Sequence, residues 1–352
     1  MPEKVLMKGN EALAEAAIAA GCRHFFGYPI TPQTEVAAHM SKRMPKIGGV
    51  YLQAESEIAA INMVLGASAA GVRSMTSSSS PGVSLKSEGL SYMAGSDLPA
   101  VIVNVQRAGP GLGGIQPSQA DYWQATRASG HGDFKMLVFA PSTVQEMVDL
   151  TATAFDLSDK YRMPAMILSD GLLGQMMEPV IMSDAKTNMP EKPWAVSGHK
   201  GKRKHNVVNS LYIEPKNLDA VVRERFVRYG KIQETEQRCE EYLTEDAEIV
   251  LVAYGASARI CRSAVDMARK EGIKVGLIRP ITLWPYPSNA ILSAAEKAKA
   301  FLCVEMSMGQ MVDDVRLVVN GKKRVEFFGL TGGLVPTPAE VLGEIKKMKG
   351  GI

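Results

Sequence analysis

The sequence predicts an α/β fold, parallel sheets with helices on both faces, and three observations predict it. Strand-length apolar runs alternate with helical patterns from Asn10 to about Met182, and again from about Asp246. Those runs are continuous, as in "AVIVNV", "AMILS" and "EIVLV", which is how strands buried on both faces read. Between the two stretches the rhythm disappears in the Pro-, Lys- and Gly-rich "NMPEKPWAVSGHKGKRKHN", so the chain divides.

Taken in order, the first helix is "EALAEAAIAA", with Asn10 as N-cap and Gly21 as its stop. The strand "HFFGY" follows, then a helix from Thr34 to Met44, the strand "GVYLQ" and a small-residue helix "EIAAINMVLGASAAG". The strand "VRSMTS" runs into the turn "SSSPG" and a single helix from Val83 to Ala94. Next come "AVIVNV", a helix from Gln119 to Ser129, "MLVFA", a helix from Thr143 to Lys160, and "AMILS". After the irregular segment, "LDAVVRERFVRYGKIQETEQRCEEYL" reads as one bridging helix. The second unit is "EIVLVAYG", a helix after Ser257, "IKVGLIR", a helix from Asn289 to Lys299, "AFLCVE", a helix near Gly309, "VEFFGL" and a last helix from Pro338. The expected divisions are residues 1–183, a linker and bridging helix over 184–246, and a smaller α/β domain over 247–352.

A chain of 352 residues supports two cores, which excludes a small disulfide-stapled scaffold. Forty Lys and Arg against 37 Asp and Glu leave +3, with no basic concentration beyond His199–His205, so nucleic acid is not an expected partner. That basic run reads either as a solvated linker or as a phosphate- or partner-facing patch. No stretch of 18 apolar residues and no leader-like start is present, so a cytoplasmic protein is expected. Cys22, Cys239, Cys261 and Cys303 lie far apart, without a CxxC pair or a histidine at ligand spacing. The expectation is reduced thiols and no metal or cluster site of its own.

Ligands of open parallel sheets bind beyond the carboxyl ends of the strands. Four such ends here carry polar or glycine-rich sequence: "GYPITP", "QAESE", "TSSSSPG" and "QRAGPGLGG". Pro29 and Pro32 restrict the backbone around Thr31 and Ile30, leaving the Thr31 hydroxyl to serve a ligand or to cap the next helix. Glu57 opens the small-residue helix. It is either a charge placed at a helix start or a carboxyl drawn into an apolar interface, where it would share a proton. Arg107 offers a planar fork suited to a carboxylate, or forms a structural ion pair. Gly109, Gly111 and Gly114 satisfy GxGxxG, but Pro110 and Pro117 break the turn and the strand before it is not the first of its domain. A lid beside Arg107 is the better reading, with a nucleotide-binding loop as the rival from another class.

Together with "LIRPITLWPYP" and "VEMSMGQM", these blocks, in this order, resemble the alpha-type subunit of 2-oxoacid:ferredoxin oxidoreductases, and the likeness spans essentially the whole chain. Within that family it is nearest to the ketoisovalerate (3-methyl-2-oxobutanoate) branch, with 2-oxoglutarate or aryl 2-oxoacid enzymes as the alternative. The resemblance implies a thiamine pyrimidine-binding domain followed by a transketolase C-terminal-like domain. It also implies that Glu57 meets the aminopyrimidine N1′ of thiamine diphosphate, beside Pro29 and Ile30, and that Thr31 and Arg107 lie at the substrate carboxylate. No GDG followed by a downstream Asn is present to hold Mg2+ and the diphosphate. The implied partners are therefore a subunit carrying that half of the site, a gamma-type subunit, a ferredoxin-like iron–sulfur subunit and soluble ferredoxin, with coenzyme A as co-substrate. A non-catalytic scaffold remains as a third class, against which the joint presence of Thr31, Glu57 and Arg107 argues.

Overall fold

The computed structural model describes residues 4–351 except 128, 183 and 185–188; the expected boundary at Ser183 lies outside the described residues. The chain begins with β1 (Val5–Lys8), α1 (Gly9–Ala19), β2 (His24–Gly27), α2 (Thr34–Arg43), β3 (Val50–Gln53), α3 (Glu57–Ala69) and β4 (Ser74–Ser78). It continues through α4 (Pro81–Leu85), α5 (Ser87–Gly95), β5 (Val101–Gln106), α6 (Tyr122–Thr126), β6 (Leu137–Phe139), α7 (Val144–Tyr161), β7 (Ala165–Asp170), α8 (Gly171–Gln175) and β8 (Met177–Val180). After the irregular segment come α9 (Pro215–Thr235), β9 (Cys239–Tyr242), β10 (Ile249–Val252), α10 (Gly255–Lys270), β11 (Val275–Pro280) and β12 (Thr282–Trp284). The last elements are α11 (Ser288–Lys297), β13 (Ala300–Glu305), α12 (Met311–Val319), β14 (Arg324–Gly329) and α13 (Pro338–Lys349).

Two sheets dominate, and their cores form because the apolar runs are buried on both faces. A seven-stranded sheet has the order β12-β6-β7-β5-β4-β2-β3, and a five-stranded sheet the order β14-β13-β10-β11-β9. Every residue of β5 and β7 is buried, in keeping with their mainly apolar sequences. Local chemistry starts the flanking helices: Ser56 caps α3 through the Ala59 amide, Thr143 caps α7, and Thr337 with Glu340 makes a capping box for α13. Gly21, at φ 86°, follows the end of α1 as expected.

The structure departs from expectation in several places. Asn10 does not cap α1; the helix starts at Gly9, and the Asn10 amide reaches across to the Pro32 carbonyl and Glu35, each at 2.9 Å. The helix expected over 83–94 is two, broken at Lys86. The one expected from Gln119 is only the short α6, because Gln119 bonds across the fold instead. "CEEY" is the antiparallel edge strand β9 and not the end of a helix. The large sheet is not wholly parallel: β12 leaves the C-terminal half of the chain and pairs antiparallel with β6.

Gln119 shows how the two halves are joined. Its buried amide donates to the Tyr254 carbonyl at 2.8 Å and accepts from the Ser257 hydroxyl at 2.6 Å and the Met306 amide at 3.0 Å. Among the described residues no helix is long and apolar enough to cross a membrane.

Candidate functional site

The strand order brings four strand ends together. β5, β4, β2 and β3 are consecutive in the sheet, so their carboxyl ends form one row. From β2 the chain moves outward to β3, then returns to the other side of β2 as β4. Such a reversal opens a crevice at the strand ends.

Glu57 sits in that row as the first residue of α3, 5% exposed. Among the described residues its carboxylate accepts no hydrogen bond. The turn after β4 passes directly against it. A Cβ on Gly82 would collide with both Glu57 Oε1 and Ser78 Oγ, so only glycine lets the carboxylate and the turn approach this closely. The Ser78 and Ser79 hydroxyls are buried and have no hydrogen-bond partner among the described residues. A carboxylate and two hydroxyls left unsatisfied among the described residues, behind the row of strand ends, are groups that call for a polar partner. They fit the edge of an aminopyrimidine, which presents both a ring nitrogen and an amino group.

Below Glu57 lies a residue that sequence reasoning missed. Lys86 is fully buried, and its ammonium donates to Thr76 Oγ1 at 3.1 Å and to the Glu57 carbonyl at 3.5 Å. Burial pushes its pKa down to about 8, with the Glu57 charge opposing that fall.

The same turn reaches the second cluster. Ser80 occupies φ 25°, ψ −84°, a conformation that costs about 1–3 kcal/mol and persists only where its surroundings hold it. Its hydroxyl donates to Asp121 at 2.5 Å and accepts from the Arg107 amide at 3.0 Å, while Asn104 accepts from the Ser80 amide at 3.1 Å. Asn104 also donates to Asp121 at 2.9 Å. Burial raises the Asp121 pKa, and the Ser80 and Asn104 hydrogen bonds oppose it. No motif announces this network, because its members come from three separate strand ends and loops.

Arg107 is 8% exposed, and its guanidinium donates to the Thr31 carbonyl at 3.0 Å and to the Leu112 carbonyl at 3.2 Å, leaving Nε buried and without a partner among the described residues. Among the described residues it makes no ion pair of the kind weighed from sequence. With Asp121, Gly109–Gly111, Met306 and Met308 it lines a cavity of about 680 Å3 between the two halves of the chain. Arg107 is the one cation among the described lining residues, and Asp121 the one anion. Thr31 is exposed and lines an adjoining cavity of about 640 Å3, and it does not cap α2, whose N-cap is Gln33. Pro29 is exposed and Ile30 half-buried; neither lines these two cavities, nor does Glu57.

The glycine loop has no helix directly behind it, since α6 begins only at Tyr122 and runs five residues. It lacks the helix start on which a dinucleotide fingerprint places phosphates. Cys22, Cys261 and Cys303 are buried free thiols; Cys239 is half-buried. Among the described residues no three His, Cys, Asp or Glu side chains are grouped to hold a metal ion.

Comparison with known proteins places this geometry in context. The family described as "Pyruvate flavodoxin/ferredoxin oxidoreductase, thiamine diP-bdg" matches residues 15–242, and "Pyruvate:ferredoxin oxidoreductase core domain II" matches residues 247–341. The chain is 50% identical to the ketoisovalerate oxidoreductase subunit VorB of Methanothermobacter thermautotrophicus, over 98% of each chain. It is 37% identical to the 2-oxoglutarate synthase subunit KorA of the same organism, covering 99% of this chain and 100% of that one. A solved 2-oxoglutarate:ferredoxin oxidoreductase from Magnetococcus marinus, with 2-oxoglutarate, coenzyme A and succinyl-CoA bound, superposes with a TM-score of 0.87 at 28% identity, covering 98% of this chain and 65% of that one.

Proposed function

Because this chain belongs to the pyruvate flavodoxin/ferredoxin oxidoreductase family, with its thiamine diphosphate-binding region, we propose that it supplies the aminopyrimidine half of that cofactor's site in a 2-oxoacid:ferredoxin oxidoreductase. The reaction is oxidative decarboxylation of a branched-chain 2-oxoacid to its acyl-CoA, with electrons passed to ferredoxin. When bound, thiamine diphosphate would supply the carbon nucleophile and electron sink that no side chain here provides. Glu57 holds a shared proton at the ring nitrogen N1′, from a carboxylate with no other hydrogen-bond partner among the described residues. The turn at Pro29 and Ile30 borders the same ring. Arg107 takes the substrate carboxylate, its unpartnered Nε being a donor with nothing else to satisfy it. The exposed Thr31 hydroxyl completes that grip.

The observation that carries the substrate class is the 680 Å3 cavity beside Arg107. Its apolar wall, with Pro81, Ala108, Pro110, Met306 and Met308, suits an aliphatic tail. A dicarboxylate would bring its second charge towards Asp121 with no second cation on the described lining. The 2-oxoglutarate reading stands as the alternative because of the likeness to KorA and to the M. marinus enzyme.

On this reading residues 1–183 form the pyrimidine-binding domain, 184–246 the linker and bridging helix, and 247–352 the transketolase C-terminal-like domain. Mg2+ and the diphosphate are held by one partner subunit, iron–sulfur clusters by another, with a gamma-type subunit completing a cytoplasmic complex that reduces soluble ferredoxin. The test is to co-purify the native complex and compare viologen or ferredoxin reduction with 3-methyl-2-oxobutanoate, 2-oxoglutarate and an aryl 2-oxoacid, each with coenzyme A. The expected result is the highest kcat/KM for the branched substrate. Preference for 2-oxoglutarate would overturn the substrate class, and reduction independent of thiamine diphosphate would overturn the reaction.

A further inference from the structure

An ammonium group is costly to bury without a carboxylate beside it, and a methionine of similar length would fill the same space without that cost. Lys86 is nonetheless fully buried, with no carboxylate in ion-pair contact among the described residues. Among the described residues its three donors meet only the Thr76 hydroxyl and the long contact to the Glu57 carbonyl. It sits at the break between α4 and α5, with its ammonium at the Glu57 carbonyl in the first turn of α3.

The groups facing this ammonium are few. On α3 the one charged residue is Glu57, whose field is the one that reaches Lys86. β4 contributes the neutral Thr76, and α4 carries no charge. Glu88 on α5 is engaged by the Tyr92 hydroxyl at 2.6 Å, and Glu55, before α3, is exposed.

We propose that Lys86 is a positioning residue for Glu57: anchored by Thr76 and the Glu57 carbonyl, its buried charge holds the Glu57 carboxylate in its ionised, hydrogen-bond-accepting form beside the turn at Gly82. This rests on the reading of Glu57 as the partner of the aminopyrimidine. A carboxylate kept ionised accepts a hydrogen bond from a ring nitrogen that carries the proton, so the shared proton is biased towards the ring. A neutral residue in place of Lys86 loses that bias, so protonation from bulk solvent competes at higher pH.

The depressed Lys86 pKa adds an independent readout. Its folded value, about 8, lies below the ordinary 10.5, so between those values the unfolded chain binds more protons than the folded one. Folded stability therefore rises with pH across that window in the wild type, and the rise is absent when the ammonium is replaced.

The experiment uses the co-purified complex with Lys86→Met and, as a milder change that keeps the lysine, Thr76→Val. For Lys86→Met the low-pH limb of the kcat/KM profile, and that of thiamine diphosphate binding by calorimetry, should move up by about two pH units, the scale expected of a charge several ångströms away at an effective dielectric near 20. Thr76→Val should move both limbs the same way by less, and carries the test if Lys86→Met does not assemble. The melting temperature of wild type relative to Lys86→Met should rise from pH 8 to 10.5. Limbs unmoved in the assembled variants would overturn the proposal. Glu57→Gln separates the two levels: if it abolishes the low-pH limb while the Lys86 and Thr76 variants leave it in place, the positioning role alone fails. A limb that survives Glu57→Gln overturns both.

Discussion

Arg107 donates to the Thr31 carbonyl across 3.0 Å, tying the end of β5 to the turn after β2 over 76 residues of sequence. The same guanidinium reaches the Leu112 carbonyl, so one side chain fixes the glycine loop against the Pro-Ile-Thr-Pro turn. A planar fork makes these bonds from one edge and keeps Nε free of them.

The first prediction follows from that geometry. Arg107→Lys keeps the charge but not the fork, and charge-assisted hydrogen bonds are worth about 1.5–3 kcal/mol each. The 2-oxoacid KM should rise by about 10- to 100-fold, with a much smaller change in thiamine diphosphate affinity. Steady-state kinetics and calorimetry on the complex check this. Equal weakening of both would show that the arginine serves only to hold the loop.

Glu57→Gln keeps the shape of the side chain and removes its ability to carry the proton. A positioned acid or base contributes about 10²- to 10⁴-fold, so turnover should fall within that range while assembly is retained. Hydrogen exchange at C2 of bound thiamine diphosphate, followed by NMR, reads the same step. Exchange at the wild-type rate would remove Glu57 from the assignment.

Gly82 gives a steric test. An added methyl collides with Ser78 Oγ and Glu57 Oε1, whereas Gly109 has nothing within 4 Å of the corresponding position. Overpacking typically costs about 1–3 kcal/mol. Gly82→Ala should lower the melting temperature and weaken thiamine diphosphate binding, because the carboxylate must move; Gly109→Ala should do neither. Equal effects of the two would show that the crowding at Gly82 has no bearing on the site.

How much of this was legible in the sequence depends on how far apart the interacting groups lie. The strands with continuous apolar runs and the stop at Gly21 are local matters, and they appear where expected. The placement of β12 is not local: three residues beyond β11 pair with β6 of the other sheet, and nothing in "TLW" names that partner. Asn10 looked like a cap because caps are written in adjacent residues, yet its partners Pro32 and Glu35 come from the next turn and helix. Glu57, Thr31 and Arg107 were visible as polar residues at strand ends. Lys86 was hidden, since a lysine in a helical stretch reads as solvated until Thr76 and Glu57 are seen around it. The strained Ser80 and its Asp121 partner were invisible for the same reason.

Acid stability tests the packing of α1 against α2. Glu15 is held down to about 2 from an ordinary 4.5, first by its hydrogen bond to His39 at 2.7 Å and then by Arg43, against the opposing effect of burial. Since the folded value lies below the unfolded one, the contribution is complete above pH 4.5 and is lost as pH falls towards 2. Glu15→Gln should therefore melt lower than wild type at pH 6, with the gap closing as pH falls from 4.5 to 2. A gap independent of pH would place the effect in packing and not in charge.

The last prediction concerns the chain without partners: it should bind neither thiamine diphosphate tightly nor iron. It offers Glu57 and its neighbouring hydroxyls to the pyrimidine ring, but the described residues contain no group of three or more carboxylates, histidines or cysteines placed for a metal. A divalent ion bridging two phosphates wants oxygen ligands in a near-octahedral array. Three of the four cysteines are buried in cores, and burial pushes the Cys22 thiol up to about 12, the reverse of what a thiolate ligand needs. Anaerobic purification of the single polypeptide, with iron analysis and calorimetry against thiamine diphosphate and Mg2+, should show no stoichiometric iron and no micromolar binding. Both should appear once the complex is reconstituted. Micromolar cofactor binding by the lone chain would mean that it holds the diphosphate itself, and the site would then not be completed by a second subunit.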